Sequence, residues 1–225
     1  MSLRTPDSEE LRRIYARRFE GAECYRLKVW KALADSFFSE YIAADATVLD
    51  LGCGYGEFIN NIQAGRKYAM DMNPHATRLL GPNVTFFEQD CSQAWALPSD
   101  SLDVVFTSNF LEHLADKRAV TETLGEAFRC LRTDGRLIAM GPNIKYTGGA
   151  YWDFFDHHVA LTELSLKEAV EIAGFRSETV IDRFLPYSMV NAPRYPVFFL
   201  KLYLKAPVLW RWFGQQFLIV VAKPN

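Results

Sequence analysis

The stretch VLDLGCGYGEF, residues 48–58, decides how this chain folds. Residues 47–51 are mostly β-branched or apolar, which is typical of a strand buried on both faces of a sheet. Gly52, Gly54 and Gly56 follow at alternate positions. Glycine tolerates positive φ and has no Cβ, so a ligand can touch the main chain there. The pattern predicts a strand that ends in a turn around a nucleotide-like ligand.

The residue after the third glycine separates two kinds of nucleotide site. A helix that begins near Glu57 would point its first N–H groups at the ligand. The dinucleotide fingerprint has a third glycine or an alanine at this position, where a small residue lets the helix pack close under the pyrophosphate. A glutamate would place a carboxylate against the diphosphate charge. The sequence therefore disfavours an NAD site.

Five segments in order resemble the motifs of one family. They are DLGCGYG at 50–56, YAMDMNP at 68–74, FFEQDCSQ at 86–93, LDVVFTSNFLEHL at 102–114 and LRTDGRLIAMGPN at 131–143. Together they resemble the class I S-adenosylmethionine (SAM) dependent methyltransferases, and most of all the group called type 11 methyltransferases. The resemblance covers roughly residues 40–181 and implies that SAM is the cofactor.

Predicted strands and helices alternate through the chain. Strands are predicted at 47–51, 67–71, 84–88, 102–107, 135–140 and 176–181, and helices near 57–64, 75–80, 116–131 and 165–173. Such alternation requires right-handed crossovers and predicts an α/β fold with a doubly wound, mainly parallel sheet. The resemblance implies a Rossmann-like sheet of seven strands, in which QQFLIVVAK at 215–223 is the final antiparallel strand.

Two helices are predicted before the sheet. Residues 7–42 carry apolar side chains at helical spacing, and Asp7 or Ser8 is the expected cap of the first helix. These helices either complete the hydrophobic core or, as the resemblance implies, form a lid over cofactor and substrate. We therefore expect an N-terminal helical lid at 1–44 and a SAM-binding domain at 45–225.

Composition limits the classes of function. The chain has 225 residues, of which 49% are hydrophobic and 23% charged, so one sizeable core is expected. The net charge of -2 and the lack of a long basic run argue against nucleic acid as a partner. The four cysteines form no CxxC pair, which argues against a zinc cluster or a disulfide framework. The N-terminus has no apolar signal region, so a cytoplasmic protein is expected.

The resemblance assigns each motif a part in holding SAM. Asp71 would accept hydrogen bonds from the ribose hydroxyls, and Asp90 from the adenine amine beside the main chain of Cys91. Asp50 and the backbone of Gly52 would bind the amino group of the methionine end. Asp71 and Asp90 have an alternative role as strand-end caps. The predicted cofactor-binding residues are Asp50, Gly52, Cys53, Gly54, Gly56, Asp71, Met72, Asp90, Cys91 and Asn109.

Three histidines are candidates for activating the methyl acceptor. Methyl transfer is an in-line displacement that needs a base only when the acceptor must lose a proton, and imidazole titrates near neutral pH. His113 follows the fourth strand, where the family's loop borders the transferred methyl, whereas His157 and His158 lie in an aromatic loop after the fifth. We predict His113 first and His158 second as the catalytic residue, with a structural role as the alternative for each.

No metal site is predicted, because we find no cluster of carboxylate and amide ligands comparable to that of the cation-dependent catechol-type enzymes.

Residues 183–214 are the part least explained by the common fold. They carry four prolines and many aromatic residues, and they are too broken and too charged for a membrane span. We predict that this hydrophobic insertion forms helical pieces that roof the acceptor pocket. A dimer interface and an interfacial helix that reaches lipid-linked acceptors are the alternatives.

These observations predict a methyltransferase that acts on a small molecule. The expected reaction is O-methylation of a sugar, polysaccharide or secondary-metabolite precursor by a monomer or homodimer, with membrane contact as the lesser alternative. A catalytically inactive SAM-binding regulator is the second hypothesis. An NAD-dependent oxidoreductase is the third, and Glu57 argues against it.

Overall fold

A computed structural model describes residues 23–187 and 195–225. The elements in chain order are α1 (Glu23–Ser36), β1 (Thr47–Leu51), α2 (Glu57–Asn61), β2 (Arg66–Asp71), β3 (Val84–Glu88), β4 (Leu102–Ser108), α3 (Lys117–Cys130), β5 (Leu131–Pro142), α4 (Ile144–Thr147), α5 (Glu163–Ile172), β6 (Arg176–Ile181), α6 (Val197–Leu204), α7 (Pro207–Phe213) and β7 (Gln216–Ala222). Short 3-10 turns complete the connections.

The seven strands form one sheet in the order β3-β2-β1-β4-β5-β7-β6. Strands β1 to β5 pair in parallel. Strand β7 lies between β5 and β6 and is antiparallel to both. This arrangement confirms the predicted doubly wound sheet with a final antiparallel strand. The strand order reverses between β1 and β4, and ligands of such sheets bind at the carboxyl ends of the strands beside that point.

Both faces of the sheet are covered by apolar side chains. Along β1, Leu49 and Leu51 pack on one face with residues of α3 and α5, whereas Val48 packs on the other with α1 and α2. All seven residues of β7 are buried, because the strand has neighbours on both edges and cover on both faces. The N-terminal helix therefore builds part of one core layer.

The predicted connections differ from the observed ones in detail. A helix is predicted at 75–80, but the structure has a 3-10 turn over Pro74–Arg78. The Asn73 side chain caps the start of this turn by accepting a hydrogen bond from the His75 backbone N–H at 3.1 Å. Strand β5 begins at Leu131, immediately after α3, and so is longer than its predicted range of 135–140.

Helix α1 corresponds to the second of the two predicted N-terminal helices. The indole of Trp30 packs edge-on against Phe58 and Phe106, with ring centroids 6.3 and 6.1 Å away. The first predicted helix and its expected cap lie outside the described residues. None of the helices in 23–187 and 195–225 is long and apolar enough to cross a membrane.

Helices α6 and α7 are the described helical pieces of the 183–214 insertion; its residues 188–194 lie outside the described part. The Trp210 ring packs against Phe37 and Phe184, with centroids 6.0 and 5.1 Å away. Their outer faces expose large apolar side chains, including Phe198 and Trp212. Helix α6 also packs against α1, so the insertion is anchored to α1 and to Phe37, the residue that follows it.

Candidate functional site

The glycine turn after β1 adopts the conformation that its sequence requires. Gly52, Gly54 and Gly56 have φ of 69°, 53° and 73°. A Cβ on Gly52 would lie 2.2 Å from ring atoms of Phe110, so a side chain at this position would clash with the loop after β4. Gly56 caps the N-terminus of α2. Only bare backbone fits between these two loops.

A cavity lies beside this turn, at the carboxyl ends of β1 and β4. Its empty space measures ≈ 950 Å³, a volume that includes the part open to solvent. Its walls come from α1, the glycine turn, the loop after β4, the segment that includes Phe154 and His157, and the start of β7. Tyr187, from the 183–214 insertion, lines the cavity, whereas no described residue of α6 or α7 does.

Asp50 is the buried carboxyl in the floor of the cavity. It is 3% exposed, and its Oδ2 atom has no hydrogen-bond partner among the described residues. Burial raises the pKa of Asp50 well above its usual value, and the charges of Glu57 and Asp71 raise it further. A cationic group bound in the cavity would supply the missing partner.

Glu57 begins α2 and faces α1. It is 7% exposed, and its Oε1 lies 2.7 Å from the Arg26 guanidinium, which also receives little solvent. Both residues line the cavity. The carboxylate is thus held by an ion pair with the N-terminal helix.

Asp71 lies under the glycine turn at the end of β2. Its Oδ2 accepts from the Gly54 backbone N–H at 2.9 Å, and its Oδ1 accepts from that of Asn73 at 2.9 Å. Burial raises the pKa of Asp71, although these backbone hydrogen bonds oppose the shift. The residue does not line the cavity, so the structure places it beside the turn and not in the cavity wall.

The predicted adenine side is separate from the cavity. Asp90 accepts from the Ser92 backbone N–H at 2.9 Å and the Ser92 hydroxyl at 2.8 Å. Cys91 is buried, its carbonyl accepts from the Trp95 indole at 2.8 Å, and burial raises the pKa of its thiol to about 12. Met72 is half-buried, and none of these predicted residues lines the cavity.

Two other predicted residues do line the cavity. Cys53 is buried in the glycine turn, and burial raises the pKa of its thiol, so the sulfur is protonated and unreactive. Asn109 has a positive φ of 49°, and its backbone N–H donates to the Met140 carbonyl at 2.8 Å. This bond fixes the loop after β4 against β5.

His113 lies in the cavity wall, in a 3-10 turn over Leu111–His113. Its Nδ1 is 3.0 Å from the Asp156 carbonyl oxygen and 3.2 Å from the Asp156 carboxylate. Burial lowers the pKa of His113, but the hydrogen bond to Asp156 and the charges of Glu112 and Asp156 outweigh it, so the pKa is raised overall.

The two adjacent histidines of the aromatic loop have different surroundings. His157 is 6% exposed, lines the cavity, and lies with its ring centroid 4.7 Å from that of His113. His158 is exposed and outside the cavity. The backbone N–H groups of His158 and Val159 donate to the Glu112 carbonyl at 2.8 and 3.1 Å. The structure therefore brings His157, and not His158, together with His113.

Glu112 was not among the predicted site residues. It is 1% exposed and lines the cavity. One ligand atom from each of Glu112, His113 and His157 lies within 4.8 Å of those of the other two. In the sequence, Glu112 directly precedes His113 in the loop after the fourth predicted strand, but only the histidine is predicted as a site residue.

Comparisons with known proteins agree with the observed fold. The model of a family described as a methyltransferase domain matches residues 24–180. No curated protein matches the chain. A SAM-dependent methyltransferase from Archaeoglobus fulgidus is 21% identical, with a TM-score of 0.66 over 91% of this chain and 99% of that one.

Two further solved structures have the same fold. A SAM-dependent methyltransferase from Thermotoga maritima is 17% identical, with a TM-score of 0.66 over 94% of this chain and 99% of that one. A Haloferax volcanii methyltransferase complex with the Trm112 activator is 18% identical, with a TM-score of 0.65 over 99% and 100% of the two chains. At these identities the likeness shows the fold.

Proposed function

The chain belongs to the class I SAM-dependent methyltransferases, and we propose that it transfers the methyl group to a hydroxyl of a small molecule bound in the cavity. The observation that carries the proposal is His113, which lies in the wall of the cavity that the glycine turn also lines and whose Nδ1 is 3.2 Å from the Asp156 carboxylate. A hydroxyl acceptor must lose a proton during transfer. The imidazole of His113, oriented by Asp156, is the group proposed to take up that proton.

The residues around the glycine turn fit the methionine end of SAM. The buried Asp50 Oδ2 without a partner suits the positively charged amino group, and the turn of Gly52, Cys53 and Gly54 offers bare backbone beside it. Asp71 is our candidate for the ribose hydroxyls, and it would have to share its oxygens with the Gly54 and Asn73 backbone. Asp90 and the main chain of Cys91 remain candidates for the adenine, and Met72 for the cofactor site as a whole.

The acceptor would occupy the part of the cavity bounded by His113 and His157. Bound SAM supplies the methyl group on a sulfonium; the chain's residues align the acceptor, exclude water and take up the hydroxyl proton. Phe154 and Tyr187 contribute aromatic surface to the same cavity. A space of this size suits a small molecule, which is the acceptor class that the sequence predicts.

Two measurements test the proposal. Calorimetry should show SAM binding, and Asp71→Ala should weaken it roughly tenfold to a hundredfold, because a charged acceptor of hydrogen bonds is lost. A screen of hydroxylated acceptors with methyl-labelled SAM should then give transfer. Binding of SAM with no transfer to any hydroxyl would favour the inactive regulator, and transfer to amines alone would overturn the O-methylation proposal.

The variant His113→Ala tests the acceptor side. It should lower the transfer rate by about a hundredfold or more and leave SAM affinity near that of the wild type. His158→Ala is the comparison, since this side chain is exposed and outside the cavity. A larger loss of rate in His158→Ala than in His113→Ala would return the role to His158.

A further inference from the structure

We propose that Glu112, His113 and His157 form a binding site for a divalent transition-metal ion in the acceptor half of the cavity. One ligand atom from each side chain lies within 4.8 Å of those of the other two. The inference rests on the proposed function for the identity of the acceptor, but the site itself is defined by these three side chains. The sequence predicts no metal site, because neither the cysteine spacing nor a cluster of carboxylates and amides indicates one.

The donor set matches known ion chemistry. One carboxylate and two imidazoles are the protein ligands of many catalytic zinc sites and of the non-haem iron sites that keep open positions. Around a tetrahedral ion with bonds of about 2.0–2.2 Å, neighbouring ligand atoms are about 3.3 Å apart. The distance between any two of the three ligand atoms thus needs to shorten by about 1.5 Å at most. Small changes in the side-chain torsions allow this.

His113 already has the second contact that a metal-bound histidine needs. Its Nδ1 lies 3.0 Å from the Asp156 carbonyl oxygen and 3.2 Å from the Asp156 carboxylate. A ligating imidazole almost always donates its other N–H to a carboxylate or a backbone carbonyl, which fixes its tautomer and orientation. This arrangement directs Nε2 of His113 to the ion.

His157 is held by aromatic rings and by the backbone. Its ring stacks on Phe154 at a centroid distance of 5.0 Å and meets the edge of Tyr151 at 4.7 Å. The hydrogen bonds from His158 and Val159 to the Glu112 carbonyl join this loop to the turn that carries the other two ligands. Two segments far apart in sequence are therefore joined before any ion binds.

The site has room for a further ligand. All three side chains line the open cavity, so the remaining coordination position faces the space proposed for the acceptor. Catalytic metal sites use three protein ligands and leave such a position for water or substrate. With the ion bound, His113 would serve as a ligand and not as the base, and an acceptor hydroxyl in the open position would release its proton to solvent. Its oxygen would then form the bond to the methyl carbon as the bond from that carbon to the SAM sulfur breaks, and demethylated SAM would leave.

Metal titration tests the site without relying on turnover. Protein treated with a chelator and dialysed is titrated with Zn²⁺ by calorimetry and with Co²⁺ by visible absorption. We expect one ion per chain and the absorption bands of a site with mixed nitrogen and oxygen ligands. Glu112→Gln and His157→Gln should each weaken binding by about a hundredfold or more, and Asp156→Asn by about tenfold to a hundredfold.

His158→Gln is the matched control, since it changes the adjacent, exposed histidine and should leave metal affinity unchanged. SAM affinity of the metal-free protein, measured in parallel, shows whether each variant is folded and whether the cofactor proposal holds. Absence of a bound ion, or equal affinity in Glu112→Gln and wild type, would overturn the metal site. Normal SAM binding beside that result would leave the proposed function standing, with the three side chains as a proton-sharing network.

Discussion

Asp50 lowers the stability of the fold when its buried carboxyl is ionised, and it has a proposed role in binding SAM. Its folded pKa is raised by burial and by the charges of Glu57 and Asp71. A raised pKa means that the protonated carboxyl suits the fold better than the charged one. Its contribution to stability is therefore present below the unfolded pKa of about 3.9 and is lost as the pH rises through the folded pKa. The cationic amino group proposed to bind there would favour the charged form.

The variant Asp50→Asn should separate these two effects. In the ligand-free protein it should raise the free energy of unfolding at pH 8 relative to the wild type, with little change at pH 4, because only ionisation is removed. It should weaken SAM binding by roughly tenfold to a hundredfold. Urea unfolding at the two pH values and calorimetry check both parts.

Asp45→Asn is the control for Asp50→Asn, because Asp45 is exposed and should show neither effect. A ligand-free Asp50→Asn protein that is less stable than the wild type at pH 8 would contradict the charge argument.

The sequence predicts some residues of the site and not others. The glycine turn follows from local rules, because positive φ values after a strand are encoded within a few positions, whereas the role of Asp50 is implied by the family resemblance. The choice between His157 and His158 depends on the hydrogen bonds that their loop makes to Glu112, a residue more than 40 positions earlier. A local sequence pattern does not predict which of two neighbouring side chains faces a distant loop.

At the scale of elements, α1 is tied to the start of α2 by the buried pair of Arg26 and Glu57. Removing one partner of a buried pair leaves an uncompensated charge, which typically costs about 3–5 kcal/mol. Arg26→Met should therefore lower the free energy of unfolding by about 3 kcal/mol or more. The Lys31–Asp35 pair is exposed, and Lys31→Met should cost less than about 1 kcal/mol.

The double variant Arg26→Met with Glu57→Leu completes this test. It should recover most of the stability lost in Arg26→Met, since neither charge of the pair remains. Urea unfolding of the variants measures these differences. Equal losses in Arg26→Met and Lys31→Met would show that the pair is not buried in solution.

Helix α1 also shows the limit of periodicity. The spacing of apolar residues predicted a helix before the sheet, and Trp30 and Leu33 are buried as that spacing requires. The partner of Glu57 could not be predicted, because an ion pair between two helices depends on how they dock. From the sequence alone, Glu57 indicates only that an NAD site is disfavoured.

At the scale of the whole molecule, the last strand completes the sheet. The family model ends at residue 180, before β7, yet β7 lies between β5 and β6 and separates them. Its antiparallel direction was predicted from the family resemblance. Its local pattern indicates only a strand buried on both faces, since a run such as QFLIVVA has the same composition in a parallel or an antiparallel position.

Two matched substitutions test whether this C-terminal strand belongs to the common core. Val220, in β7, is fully buried, whereas Val208, in α7, is 70% exposed. Val220→Asp should remove several kcal/mol, because an unpaired carboxylate would replace an apolar side chain in the core on one face of the sheet. This is a large part of a typical domain's total stability of about 5–15 kcal/mol. Val208→Asp should change the free energy of unfolding by about 0.5 kcal/mol or less. Thermal unfolding followed by circular dichroism compares the two, and similar melting temperatures would mean that β7 can detach while the rest of the sheet stays folded.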